Sequence, residues 1–69
     1  MKWLLKEYMA ANHIDNFKEL ARQTGIKLRT LRRRIDDPST LLLYEIRALD
    51  EVLHFNDEDK LKLISGNIN

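Results

Sequence analysis

Residues Phe17 to Ile35 read FKELARQTGIKLRTLRRRI, and this stretch decides the fold. Asn16 followed by Glu19 matches the reciprocal capping pattern, in which the cap side chain accepts a main-chain N–H and the acid returns a bond to the cap. A helix is therefore expected over about residues 17–24, with Phe17, Leu20, Ala21 and Thr24 facing inward. Ala21 sits where a second helix must cross closely, and a larger side chain there would force the axes apart. Gly25 supplies positive φ at the helix C-terminus, and Ile26 covers the turn from inside. The next helix is expected over about residues 28–35, with Leu31 and Ile35 inward and Leu28, Arg29, Arg32 and Arg33 pointing away from the core. Asp36-Asp37-Pro38 ends it, because a residue before proline avoids helical dihedrals.

Working outward, Leu4, Leu5, Tyr8 and Met9 recur at helical spacing and predict a first helix over about residues 2–11. Trp3 falls off that face, as an exposed ring at a helix end or as part of a subunit contact. On the other side, Ser39 or Thr40 is expected to cap a fourth helix over about residues 41–53. Leu42, Ile46, Leu49 and Leu53 would form one apolar stripe, with Leu41, Tyr44, Ala48 and Val52 beside it, making this the central helix. Glu45 falls between the stripes. A lone buried carboxylate is expensive, so Arg34, on the inner side of its helix, is expected to pair with it. Leu43 lies on the otherwise polar side and is a candidate subunit contact.

Asn56 with Asp59, the apolar Leu61, Leu63 and Ile64, and a stop at Gly66 predict a fifth helix over about residues 57–65. Asp57, Glu58 and Asp59 suit the positive end of its dipole, which accounts for the acidic cluster without calcium. Asn67 to Asn69 reads as a loose tail unless Ile68 docks on a second subunit. The expectation is thus an all-α domain of five helices, a single unit over residues 1–69, a length that leaves room for one small core. Cysteine is absent, which excludes disulfides and thiolate metal sites. The apolar residues of Met1 to Met9 are interrupted by Lys2, Lys6 and Glu7, so neither a signal peptide nor a membrane span is expected.

The net charge of +1 conceals an uneven distribution. Residues 18–34 hold seven basic groups and one acid, whereas residues 35–69 hold three basic groups and eight acids. Such a split would orient the molecule on a polyanion. A helix, a glycine turn and a strongly basic second helix form the helix-turn-helix arrangement that places side chains in the DNA major groove. Arginine suits bidentate bonding to guanine O6 and N7, and Leu28 can touch a thymine methyl, so Leu28, Arg29, Arg32 and Arg33 are the candidate base-reading residues. Arg22, Gln23, Lys27, Thr30, Ser39 and Thr40 are candidate contacts to the DNA backbone. The competing reading is a solvated basic surface with no partner. Catalysis finds little support: His13 and His54 have no cysteine or histidine partner at ligand spacing, and the two glycines form no phosphate loop. Accordingly no enzyme activity, cofactor, metal or small-molecule substrate is expected.

Leu20-Ala21, Gly25-Ile26, Thr30-Leu31 and Ile35 resemble the helix-turn-helix of the lambda-repressor-like superfamily, which includes phage Cro proteins, phage repressors and many small bacterial regulators. Ala, Gly and an aliphatic residue at the fifth, ninth and fifteenth motif positions fall on Ala21, Gly25 and Leu31. The resemblance implies a compact five-helix domain that binds operator DNA as a homodimer, with the third helix in the major groove. It implies that residues near the start of helix 2, here Asn16 and Lys18, also hold phosphates. It further implies a Cro-like phage or prophage repressor working in the cytoplasm of a bacterium or a phage's host. Two positions depart from the motif: Lys27 stands where a capping Ser or Thr is usual, and Arg34 replaces an apolar residue. The alternative is a protein-interaction module, such as an antirepressor or adaptor acting on another regulator through helices 4 and 5.

Overall fold

The computed structural model describes residues 1–65; Gly66 and the tail containing Ile68, which carried expectations above, lie outside the described residues. Five α-helices follow one another: α1 (Lys2–Ala11), α2 (Phe17–Thr24), α3 (Leu28–Asp36), α4 (Leu43–Leu53) and α5 (Asp57–Ser65). A single 3-10 turn, Pro38–Thr40, stands between α3 and α4, and no strand occurs among the described residues.

Each helix contributes to one apolar cluster: Leu5 and Met9 from α1, Leu20 and Ala21 from α2, Leu31 and Ile35 from α3, Ile46, Leu49 and Leu53 from α4, and Leu63 from α5. The loops add Ile14, Ile26 and Phe55. Of these, Ile14 and Phe55 had no helical period to reveal them. Ile14 is drawn in where the chain turns back after α1, its N–H bonded to the Met9 carbonyl at 2.8 Å. Phe55 meets the Tyr8 ring edge-on, with centroids 4.9 Å apart, a favoured aromatic geometry.

The first and last helices are tied together by a small polar network. Tyr8 Oη donates to Asp59 Oδ2 at 2.6 Å and accepts from the Asn56 N–H at 3.1 Å. Asn12 Nδ2 donates to the carbonyls of Tyr8 and Leu53, which joins the ends of α1 and α4. The Asn56 carboxamide oxygen caps α5 by accepting from the Asp59 N–H at 2.7 Å.

Helix α4 departs from the sequence expectation. It starts at Leu43 rather than residue 41, and neither Ser39 nor Thr40 caps it. Both hydroxyls turn back on the preceding loop, Ser39 Oγ donating to Asp37 Oδ1 and Thr40 Oγ1 to the Asp37 carbonyl. The cap comes instead from within the helix: Glu45 Oε1 accepts from the Leu42 N–H at 2.9 Å, the acid half of a capping box. Leu42, now the N-cap, lies outside the helix and is exposed, and Tyr44, in the first turn, is exposed although Ala48 and Val52 of the same stripe still pack on the core. Ile46, Leu49 and Leu53 keep their inward place, and Glu45 is the one charged side chain buried with them among the described residues. On α5 only Leu63 is buried, while Leu61 and Ile64 face outward.

Candidate nucleic-acid interface

The turn between α2 and α3 sets the geometry of the basic helix. Gly25 has φ +76°, and its N–H bonds the Ala21 carbonyl at 2.9 Å, so the chain leaves α2 through a left-handed residue that glycine adopts without strain. Thr24 Oγ1 donates to the Leu20 carbonyl at 2.9 Å, and Ile26 is buried under the turn. Buried Ala21 permits the close crossing, and α2 packs against both α3 and α4. Lys27 is the N-cap of α3 and makes no side-chain cap bond, which leaves its ammonium group exposed.

Leu31 and Ile35 anchor α3 in the core, and the opposite face carries Arg29, Arg32 and Arg33, all exposed. Arg29 lies one turn before both Arg32 and Arg33 on the exposed side. Among the described residues, none of these three arginines, nor Lys27 or Lys18, forms an ion pair. Leu28 differs from its expected place: it is half-buried and packs against the core cluster, so only part of its side chain faces outward.

Arg34 occupies the inner flank of α3 and meets the expected partner. Its Nε lies 2.9 Å from Glu45 Oε1, with the Glu45 side chain 1% and the Arg34 side chain 17% exposed. One carboxylate oxygen thus joins the basic helix to the first turn of α4, since the same atom accepts from the Leu42 N–H.

The candidate backbone contacts divide by how free they are. Lys18 and Lys27 are exposed, and Thr30 is half-buried in the same cleft as Lys27. Asn16 caps α2, its Oδ1 accepting from the Glu19 N–H at 2.8 Å, but the reciprocal bond expected of Glu19 gives way to contacts with its own helix face. The Glu19 carboxylate accepts from Gln23 Nε2 and forms a close two-pronged ion pair with the Arg22 guanidinium. These hydrogen bonds, that of Arg22 foremost, hold the Glu19 carboxyl at a pKa of about 2. The cation is a better partner for the carboxylate than one neutral N–H, which explains the exchange. Arg22 and Gln23 are consequently engaged by Glu19, and the protons of Ser39 and Thr40 by the Asp37 segment.

Two exposed features had no place in the sequence reading of the interface. Tyr44, expected in the core, is 66% exposed and lines a cleft together with Lys27 and Thr30. Lys2, at the start of α1, shares a shallow depression with Phe17, Arg32, Ile35 and Asp36, which brings a further cation to the flank of α3. The signal for the first was present in Leu42-x-x-Glu45, whose spacing marks the true helix start.

On the remaining surface, His54 ends α4 in a left-handed conformation at φ 55° and His13 follows α1 at φ 59°. Among the described residues no three His, Asp or Glu side chains converge on a point where a metal would sit. No helix among them is long and apolar enough to cross a membrane. No family model, curated protein or solved structure matches this chain.

Proposed function

We propose that the chain is a sequence-specific double-stranded DNA-binding regulator of transcription, of lambda-repressor-like architecture, with α3 entering the major groove. The observation that carries this reading is the exposed face of α3, where Arg29, Arg32 and Arg33 stand without an acidic partner among the described residues on a helix anchored from behind by Leu31 and Ile35. Charged side chains held on a rigid element are what base-edge recognition needs, and a merely solvated helix has no reason to exclude acids from one face. Arg29 and Arg33 read bases; Lys18 and Lys27 hold phosphates. Arg22 joins them by exchanging Glu19 for a phosphate. Leu28 has a smaller share, since it is partly engaged in packing.

Repression by occupying an operator and excluding polymerase, as in Cro-type phage or prophage regulators, is the form of regulation that this DNA-binding reading implies. One module of this size buries modest surface, so two copies on an inverted repeat supply the affinity and discrimination a regulator requires. Support for a homodimer comes from a groove lined by Pro38, Leu41, Leu43, Ile46, Leu63 and Ile64, in which Leu43 and Ile64 are exposed. The groove adjoins the turn that follows α3. The same groove favours the second reading, a module that binds another regulator through α4 and α5.

The test is selection of sites from random duplex at physiological salt, followed by anisotropy titration against scrambled sequence. The proposal expects an inverted repeat with half-sites about one helical turn apart. It also expects Arg33→Ala to cost about 1–3 kcal/mol on the selected site and much less on scrambled duplex. If nothing is enriched and binding vanishes as salt rises, the basic helix is an electrostatic surface only, and the protein-partner reading replaces this one.

A further inference from the structure

A cleft of about 560 Å³ opens between the α2–α3 turn and the first two turns of α4, lined among others by Thr24, Lys27, Thr30, Tyr44, Glu45 and Ala48. Tyr44 is the residue that needs an explanation. It is 66% exposed at the second position of α4, whereas Ala48, one turn on, is half-buried against the core cluster. An exposed tyrosine beside a cleft offers an apolar ring and a hydroxyl together, the chemistry that favours tyrosine at wet interfaces.

The polar groups of this cleft have matching chemistry. Lys27 offers three N–H donors, while Tyr44 and Thr30 offer one hydroxyl each, and all can donate to an anionic oxygen. The one acid in the wall does not oppose an anion, because Glu45 Oε1 is bound by the Arg34 guanidinium and the Leu42 N–H, each at 2.9 Å. With Glu45 balanced by Arg34, the charge left over in the cleft is that of Lys27. A single surplus positive charge in a cleft that also holds two hydroxyl-bearing residues fits a singly charged anion with two exposed oxygens, which describes a phosphodiester. The cleft also stands in a fixed relation to the arginine face, since Lys27 is the N-cap of α3 and Glu45 fastens the start of α4 to the same helix.

We propose that Tyr44, together with Lys27 and Thr30, forms a subsite for one phosphodiester of the duplex that α3 reads. This rests on the DNA-binding reading above and adds to it a contact from α4. Because the subsite meets only backbone, it positions α3 along the groove and carries no sequence preference of its own.

The experiment compares wild type with Tyr44→Phe, Thr30→Val and Lys27→Ala on the selected operator and on scrambled duplex, over a series of salt concentrations. Tyr44→Phe removes one hydroxyl and keeps the ring. It lowers affinity about tenfold or more on both duplexes, as expected for the loss of one hydrogen bond to a charged group, and leaves the thermal unfolding midpoint unchanged. Lys27→Ala reduces the slope of log affinity against log salt by about one. Replacing operator phosphates one at a time by neutral methylphosphonate then finds a single position that weakens wild type but not the Lys27→Ala protein. A wild type that selects its operator, with all three variants binding as it does at every salt concentration, overturns the subsite and leaves the DNA reading standing. A wild type that fails to bind duplex above its response to bulk charge overturns both.

Discussion

Replacing Arg34 with methionine removes the cation from Glu45 while keeping much of the side-chain volume. The carboxylate it leaves is 1% exposed and retains the Leu42 N–H, so one hydrogen bond at 2.9 Å remains to support a full charge. Breaking a buried pair from one side costs about 3–5 kcal/mol. The rim position of Arg34, 17% exposed, admits water on relaxation and argues for the lower end. A domain of 69 residues has a total stability of about 3–10 kcal/mol, so Arg34→Met brings it near the threshold of unfolding. Glu45→Gln leaves the less buried partner and keeps an acceptor for Leu42, at a cost of about 1–2 kcal/mol. The double variant Arg34→Met, Glu45→Met removes both charges and leaves one unsatisfied N–H at a helix start, again about 1–2 kcal/mol. Urea unfolding followed by circular dichroism measures all three through shifts in midpoint at constant slope. The reasoning requires the double variant to be more stable than Arg34→Met alone. Additive losses, or a loss below about 1 kcal/mol for Arg34→Met, would mean that the carboxylate is not held by the arginine and that water reaches it freely.

Gly25→Ala is expected to destabilise by about 1–2 kcal/mol through the left-handed backbone alone, because a Cβ at Gly25 meets nothing within 4 Å; a larger loss in urea unfolding would reveal a clash. Glu19 is part-exposed and its carboxyl is held down mainly by Arg22, so the contribution of the pair is complete above about pH 4.5 and is lost as pH falls toward about 2. Carboxyl NMR titration should show this low midpoint and its return to the ordinary range in Arg22→Ala. Glu19→Ala should release Arg22 and strengthen binding to any duplex, and Arg22→Ala should make the salt slope shallower by about one; an unchanged slope in Arg22→Ala would show that Arg22 stays off the backbone. Tyr8→Phe cuts the bonds to Asp59 and Asn56 and should cost about 1–3 kcal/mol. The Asn56 N–H favours the Tyr8 phenolate, but the Asp59 hydrogen bond, burial and nearby acids outweigh it and raise the Tyr8 pKa above 10. Wild-type stability should therefore fall as pH rises beyond 10, more steeply than that of Tyr8→Phe.

What could be read from sequence follows from how local each signal is. The α2–turn–α3 unit was legible almost to the residue, because Asn16, Ala21, Gly25 and the proline at 38 each act within one turn of chain. The Arg34–Glu45 pair was legible because two charged side chains on inward faces leave few ways to avoid an isolated buried charge. The start of α4 was misread for a related reason. Ser39 and Thr40 look like caps by type, but a proline just before them fixes a 3-10 turn in which their hydroxyls bond the Asp37 segment instead. The early start placed Leu42 in the core although it is the N-cap, and helical spacing alone gave no sign that Tyr44, in the first turn, stands exposed beside the candidate interface. Ile14 and Phe55 were invisible because loop residues are buried by tertiary approach, which no helical spacing records.

The same carboxylate that corrects the start of α4 also explains why the basic face can be rigid. A helix of nine residues is marginal by itself, and α3 carries four arginines whose mutual repulsion opposes folding. Leu31 and Ile35 hold it on one side, and Arg34, turned inward onto Glu45, removes one of those charges from the outer surface. The remaining three are left to face outward on a helix fastened at its end to α4 and at its start to the Gly25 turn. Preorganised charge of this kind loses little conformational freedom on meeting a polyanion, so its electrostatic attraction is available for recognition. Arg34 is therefore expected to influence binding without touching DNA: its loss should loosen the whole arginine face, reducing operator and scrambled affinity alike, whereas loss of Arg33 should act chiefly on the operator.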